Sequence, residues 1–434
     1  MTRPLRVRGR RGPLAGDVVV PGDKSIAHRA LLLAALAEGT SVVRGIPGGA
    51  DVAATLAAVR TLGAATRRDG DTAEIDGRGL ALGEGVDVAI DCANSGTTMR
   101  LGAGLVAGRR GRRTLDGDAS LRRRPMERVA EPLRRMGATI RSTEGHAPLE
   151  IEGGDLQGIT WTLPVASAQV KSAILLAGLR ARGRTVVTEP LPTRDHTERM
   201  LRHMGVEVAS EGRQVSVGGG APLRPLTIAV PGDPSSAAFF LVAALLTPGS
   251  ELRVRHVGTN PLRIGAVEIL RRMGARIDLD RAGQEAGEPH ADLVVRAAEL
   301  HGTTIAAHEV PGAIDELPIL AVAGAFADGE TRVEGAAELR VKESDRIGAL
   351  EQLRSLGISI ETRPDGFTVQ GDPRRTLGGG SIVTHGDHRI AMAFAIAGLR
   401  SRDGIVIDDP DCAGVSFPGF FDQLTALGGV VEGA

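Results

Sequence analysis

The sequence predicts an α/β protein of two domains, each built from three copies of one βαβ-type unit, with buried helices inside and sheets outside. Three observations predict it. One pattern is written six times along the chain, at a spacing of roughly 70 residues, longer than the periods of about 20 to 50 typical of solenoids. The leading helix of each copy is apolar on nearly every side, as in LLLAALAEG, AILLAGLRARG, FFLVAALL and ILAVAGAFADG, which marks a helix surrounded by protein. Short β-rich stretches with alternation, among them TVVTEP, QVSVGG, LTIAVPGD, DLVVRA and GIVIDD, flank the helices.

In chain order, the first half of each copy is a Gly- or Ser-marked turn running into the apolar helix. The six are PGDKSIAHRALLLAALAEGT, CANSGTTMRLGAGLVAGRRG, VASAQVKSAILLAGLRARG, PGDPSSAAFFLVAALLTPGS, PGAIDELPILAVAGAFADGE and HGDHRIAMAFAIAGLRSRDG. The second half is an amphipathic helix ending in Met-Gly or Leu-Gly and then a short strand: AAVRTLGAATRR, EPLRRMGATIRS, ERMLRHMGVEVAS, EILRRMGARIDL, EQLRSLGISIET and DQLTALGGVVE. Gly63, Gly137, Gly205, Gly274 and Gly357 stand where a left-handed helix C-cap is expected. A length of 434 residues suits two or three domains, and six units divide as three and three. The boundary is expected near PLRPLTIAVPGD, giving one domain of residues 1–20 plus 231–434 and another of 21–230. The opening segments PLRVRGRR and GPLAGDVVV would then pair in the domain that holds the C-terminus, with two crossovers and an active site in the cleft between the halves.

Composition excludes several function classes. With 52 basic against 53 acidic residues the net charge is −1, so there is no bulk attraction to nucleic acid or an anionic membrane. Aromatic residues make up 2% and Tyr is absent, which argues against a base-stacking surface. No apolar run reaches the ~18 residues that span a bilayer, and no apolar h-region follows the basic start MTRPLRVRGRRG, so no secretory signal is expected. Cys92 and Cys412 form no CxxC, which fits a reduced cytoplasm without structural zinc. Only three of the 52 basic residues are lysine: Lys24, Lys171 and Lys342. Where a generic cation would do, this chain uses arginine, so the lysines are candidates for sites needing a compact ammonium.

The chemistry is expected where the copies differ, at the starts of the apolar helices. Copy one offers Lys24, Ser25 and Arg29; copy two Asn94, Gly96 and Thr97, with Arg124 in the following RRRPMER; copy three Ser167 and Gln169, then Arg194 in TRDH. Copy five offers Asp315, then Lys342 and Arg346 in RVKESDR; copy six Asp387 and Arg389. Helix N-termini carry free N–H groups and partial positive charge, and added Lys and Arg suit them to two phosphates, or a phosphate and carboxylates. Each piece has a plainer reading. PGDKS fails as a P-loop because Asp23 stands before Lys24; RRRP could be a solvated charge run; Asp315 and Glu316 could cap a helix; His385 and His388 in GDHR could be a metal pair but lack a third ligand.

The ordered set PGDKSIAHR, NSGTTMR, RRRPM, SAQVKSA, TRDHTE, GDPSSAAF, IDELPILA, RVKESDR and GDHRIAMAF resembles the EPSP synthase family from about residue 5 to 430, in the form of its divergent bacterial subclass. The resemblance implies a two-domain inside-out α/β barrel with three βαβαββ repeats per domain. It implies transfer of an enolpyruvyl group from phosphoenolpyruvate to the 5-hydroxyl of shikimate 3-phosphate, in the shikimate pathway to chorismate and the aromatic amino acids, by a cytoplasmic monomer with no cofactor and no metal. Shikimate 3-phosphate would meet Lys24, Ser25, Arg29, Ser167, Ala168, Gln169, Arg194, Asp315 and Lys342. Phosphoenolpyruvate would meet Lys24, Asn94, Gly96, Arg124, Gln169, Arg346 and Arg389. Asp315 would act as the base, with Glu343 and Lys24 as candidates for the proton at C3. Val415 replaces a lysine found in many relatives, and Ala168 a serine. Gly96 lets the backbone approach a small anion closely, so glyphosate is expected to compete with phosphoenolpyruvate. The sister transferase acting on UDP-N-acetylglucosamine presents a reactive cysteine where this chain reads GDASLRRRP. A catalytically silent binding relative would be expected to have lost Lys24, Asp315, Lys342 or Glu343.

Overall fold

In the computed structural model, residues 3–9 and 12–434 are described; Arg10 and Arg11 of the first expected strand lie outside them, as do Met1 and Thr2. The chain divides into two compact units. Unit 1 comprises Met1–Pro21, Gly232–Gly283 and Pro289–Ala434, and unit 2 comprises Gly22–Pro231 with Gln284–Glu288. Each has its own apolar core.

The six apolar runs form six helices: α1 (Lys24–Ala35), α2 (Gly96–Ala107) and α3 (Ala168–Gly178) in unit 2, and α4 (Pro234–Leu246), α5 (Leu317–Ala325) and α6 (His388–Gly398) in unit 1. Every residue of α4, α5 and α6 is buried. That is the environment their unbroken hydrophobicity demands, since each face must find a protein partner. Gly104 makes one of these contacts possible. A Cβ there would stand 2.1 Å from the Ala173 carbonyl oxygen, so only glycine lets α2 lie this close to α3.

Around these helices each unit carries three four-stranded sheets of one design: a parallel pair continued by antiparallel strands. In unit 2, Val88–Asp91 runs parallel to Arg112–Asp116, which pairs antiparallel with His146–Glu152, and that with Thr139–Thr143. In unit 1 the N-terminal segment supplies two strands. Leu5–Arg8 lies antiparallel between Ser401–Ile407 and Val430–Gly433, and Ala15–Val19 runs parallel to Glu251–Gly258. The repeat read from the sequence is thus the structural unit. The trailing glycines Gly63, Gly137, Gly205, Gly274 and Gly357 all have positive φ, from 80° to 117°. The fifth companion helix departs from expectation: after a short α-turn, Arg346–Leu350, it continues as a 3-10 helix, Glu351–Leu356. There the Gln352 amide pairs with both backbone groups of Val383 (2.9 and 2.8 Å), clamping the stretch to a neighbouring loop. Among the described residues, no helix is long and apolar enough to cross a membrane.

The helix starts are where the copies diverge. Asp23, Asp233 and Asp387 cap α1, α4 and α6, accepting from the backbone N–H of Ile26, Ser235 and Arg389. Ser95 and Ser167 do the same for α2 and α3. In copy five the cap position is Glu316, whose side chain makes no capping bond. Asp315, just before it, takes two cations instead.

Candidate active site

In unit 1 the six predicted residues Asp315, Lys342, Glu343, Arg346, Asp387 and Arg389 form one ionic network. Asp315 Oδ1 lies 3.4 Å from Lys342 Nζ and 3.4 Å from Arg346 Nη1, and its backbone oxygen accepts from Arg389 Nη1 at 3.0 Å. Arg346, 1% exposed, also donates to Glu343 (2.5 Å) and, through Nε, to Asp387 (2.8 Å). Burial alone would disfavour its charge, but Asp387, Glu343 and Asp315 more than offset that, and its pKa rises above the ordinary guanidinium value. Burial pushes Asp387 upward and Arg346 pulls it down further, leaving it below the usual carboxylate range. Behind the network, Glu316 accepts from Arg263 at 2.9 Å and faces Arg389 at 3.8 Å. The reading of Asp315 and Glu316 as mere helix caps therefore fails.

In unit 2 the predicted residues gather at the N-terminal ends of α1, α2 and α3. Lys24 opens α1 and pairs with Asp51 at 3.0 Å. Arg29, 3% exposed, spends Nε on Thr197 (2.9 Å), Nη1 on the Ser25 carbonyl (2.9 Å) and Nη2 on the Ser172 hydroxyl (3.0 Å). Two of its five N–H donors remain by that count. Burial pushes it down to about 10, with Glu198 pulling the other way. Arg194 Nη1 reaches the Ser25 hydroxyl at 3.4 Å.

A second group surrounds the start of α2. Arg124 donates to Asn94 Oδ1 (2.7 Å), and the Asn94 amide donates to Asp118 (2.6 Å). Gln169 donates to Thr97 (2.9 Å) and accepts from Arg100 (2.6 Å). Gly96 sits between the two arginines: a Cβ there would be 2.9 Å from Arg100 Nη1 and 3.3 Å from Arg124 Nη1. The groups join through Thr98, whose hydroxyl donates to the Asp51 carbonyl at 3.4 Å. The RRRP run divides: Arg122 and Arg123 are exposed, as the charge-run reading holds, whereas Arg124 turns toward Asn94. Ala168 is the first residue of α3, and its carbonyl accepts from the Ser172 hydroxyl (2.7 Å). Val415 ends the 3-10 helix Pro410–Val415, so that position carries no charge. His385 is exposed and His388 buried on either side of Asp387.

Reading the sequence missed Arg100, Asp51, Asp118 and the ligand role of Asp387 toward Arg346. Arg100 had a signal: it is the one charge in an otherwise apolar helix, one turn after Gly96. Asp51 had none, since an acidic residue in a first helical turn is commonplace.

Each unit thus presents clustered cations with a few hydroxyls and carboxylates, suited to phosphate and carboxylate groups. The family model described as EPSP synthase (3-phosphoshikimate 1-carboxyvinyltransferase) matches residues 9–424. The 3-phosphoshikimate 1-carboxyvinyltransferase of Halorhodospira halophila is 53% identical over 425 residues, 97% of this chain and 95% of the relative. That of Desulforudis audaxviator is 52% identical over 428 residues, 98% of this chain and 99% of the relative. Among solved structures, an EPSP synthase of Acinetobacter baumannii superposes with a TM-score of 0.89 at 44% identity, covering 99% of both chains. The enolpyruvyl transferase NikO of Streptomyces tendae reaches 0.80 at 20% identity over 100% of this chain and 99% of its own, a likeness of fold alone.

Proposed function

Since this chain belongs to the EPSP synthase family, we propose that the clustered residues of its two units divide between two anionic substrates. The reaction is transfer of the enolpyruvyl group of phosphoenolpyruvate to the 5-hydroxyl of shikimate 3-phosphate, with release of phosphate. The fold is the two-domain inside-out α/β barrel of enolpyruvyl transferases. Shikimate 3-phosphate is held by Lys24, Ser25, Arg29, Ser167, Ala168, Gln169, Arg194, Asp315 and Lys342. Phosphoenolpyruvate is held by Lys24, Asn94, Gly96, Arg124, Gln169, Arg346 and Arg389, to which we add Arg100.

The chemistry is addition followed by elimination. The 5-hydroxyl oxygen bonds to C2 of phosphoenolpyruvate while C3 takes a proton, giving a tetrahedral adduct. C3 then returns a proton as the C2–phosphate bond breaks. An acid and a base must therefore serve neighbouring atoms. Asp315 receives the hydroxyl proton, and Glu343 or Lys24 serves C3. The observation that carries the assignment of Asp315 is its position in copy five, just before the helix cap Glu316, where it faces Lys342 and Arg346. The cations stabilise charge gathering on the departing phosphate. The enzyme works as a monomer in the cytoplasm, and sedimentation at one subunit mass, 45.1 kDa, checks the first point.

Phosphate release tests the reading: it requires both substrates together, and UDP-N-acetylglucosamine in place of shikimate 3-phosphate yields none. Release with the nucleotide sugar, or with neither acceptor, would overturn it.

A further inference from the structure

Two of the three lysines fall in the proposed substrate set, and the third, Lys171, does not. It lies in α3, two residues beyond Gln169, and is 1% exposed. Its ammonium has three N–H donors, and three oxygens stand around it: Glu198 Oε1 at 2.7 Å, Glu189 Oε2 at 2.9 Å and the Thr193 carbonyl at 3.3 Å. Glu189 also accepts from the Thr193 hydroxyl. Thr193 is thus held by both its backbone and its side chain, and the next residue is Arg194. Glu189 follows the strand Arg184–Thr188, and Glu198 lies in the first turn of the helix His196–His203. One cation therefore ties α3 to both ends of the connection Glu189-Pro-Leu-Pro-Thr-Arg-Asp195, which two prolines already stiffen.

We propose that Lys171, with Glu189 and Glu198, is a positioning device for shikimate 3-phosphate: it fixes Thr193 so that the Arg194 guanidinium is aimed at the start of α1 before the substrate arrives. The inference rests on the assignment of Arg194 to that substrate. Two arguments favour geometry over stability as the role. Burying one ammonium with two carboxylates is weak evidence for stability, because well-packed apolar residues of like volume often do as well or better. And the compact ammonium reaches three oxygens at once, donating to Glu189 and the Thr193 carbonyl and pairing with the Glu198 carboxylate, which neither an apolar side chain nor the planar arginine used elsewhere in this chain does as compactly. The lysine also stays charged, although burial pushes Glu189 upward. Burial would lower the lysine pKa, but Glu198 and Glu189 together more than offset it, so it is raised. On the same side of the molecule, Arg29 clasps Thr197 and Ser172 (2.9 and 3.0 Å), tying α1 to the same two helices.

The test compares K171M/E189Q/E198Q, which removes all three charges at near-constant volume, with the parent enzyme. Expected are a melting temperature within a few degrees, affinity for shikimate 3-phosphate by calorimetry weakened about tenfold or more, and kcat and the KM for phosphoenolpyruvate within about threefold. Adding Arg194→Ala to this variant should cost little beyond what Arg194→Ala costs alone, since both act through one guanidinium. Unchanged affinity in the triple variant, or fully additive losses with Arg194→Ala, would overturn the proposal. Should the triple variant not fold, Glu189→Gln alone keeps the Lys171–Glu198 pair and loosens Thr193. A loss of about threefold in affinity supports the device, and no loss sinks it. Arg194→Ala binding shikimate 3-phosphate normally would instead refute the substrate assignment itself.

Discussion

Asp315 shows how a single residue acquires a role by losing another. At the equivalent turns Asp23, Asp233 and Asp387 use a carboxylate oxygen to cap a helix, whereas Asp315 directs Oδ1 at Lys342 and Arg346. Replacing it with alanine should lower kcat by about three powers of ten, in the range of general base catalysis, while calorimetric affinity for shikimate 3-phosphate stays within about an order of magnitude. Near-normal turnover would refute its role as base. Gly96 makes a prediction of the opposite kind, through space. The methyl of Gly96→Ala would press on the ends of Arg100 and Arg124, at 2.9 and 3.3 Å. These are flexible groups, so the fold survives and the anion site narrows. The KM for phosphoenolpyruvate should rise several-fold, and competitive inhibition by glyphosate should weaken by about tenfold or more, a loss of about 1.4 kcal/mol. Inhibition of the parent enzyme only at millimolar glyphosate would contradict the idea that Gly96 leaves room for it.

The helices of unit 2 are tied at their polar ends by a chain of hydroxyls. His28 Nδ1 shares a hydrogen bond with Thr55 Oγ1 at 2.6 Å, Thr55 one with Thr98 at 2.6 Å, and the Thr98 and Ser95 hydroxyls share one at 2.8 Å. Burial pushes the pKa of His28 from 6.5 down to about 3; Asp51 opposes the fall, and Lys24 and Arg29 add to it. The unfolded chain therefore binds a proton below its ordinary pKa while the folded chain does not until about pH 3, so stability falls as pH falls through that window. Between about pH 7 and about pH 5 this one group should remove about 2 kcal/mol of unfolding free energy. Denaturant titrations of the parent and of His28→Asn should differ in pH slope by about that amount. Equal slopes would mean that His28 is charged in the folded protein. Most of these elements could be read in advance. Apolar runs announced α1 to α6, and the trailing glycines their companions, because burial on all sides and a left-handed cap each leave a local mark. The 3-10 helix Glu351–Leu356 left none, since the contact of Gln352 with Val383 joins residues far apart in sequence.

At the scale of the whole molecule, the proposed substrate set draws on residues of both units. Addition of shikimate 3-phosphate with glyphosate should then reduce the radius of gyration in solution scattering, as in enzymes that close on their ligands. An unchanged curve would argue that one unit binds both ligands alone. The N-terminal strands Leu5–Arg8 and Ala15–Val19 complete two sheets of unit 1 whose other strands lie beyond Gly232, so unit 1 is closed by pairings between segments far apart in the chain.

Periodicity, helix burial and the ordered run of turn motifs were determined by the sequence alone, and with them the family and most of the charged groups. These are properties of neighbours in the chain, where propensity and pattern act directly. Tertiary structure alone decided which charges are matched: that Lys24 meets Asp51, that Arg100 rather than solvent holds Gln169, that Arg346 is held by Asp387. Those pairings join distant segments, and even where a local mark hints at burial, as for Arg100 in its apolar helix, nothing local names the partner. Lys171 joins both halves of the lesson: its rarity was legible in the chain, and its three partners only in the fold.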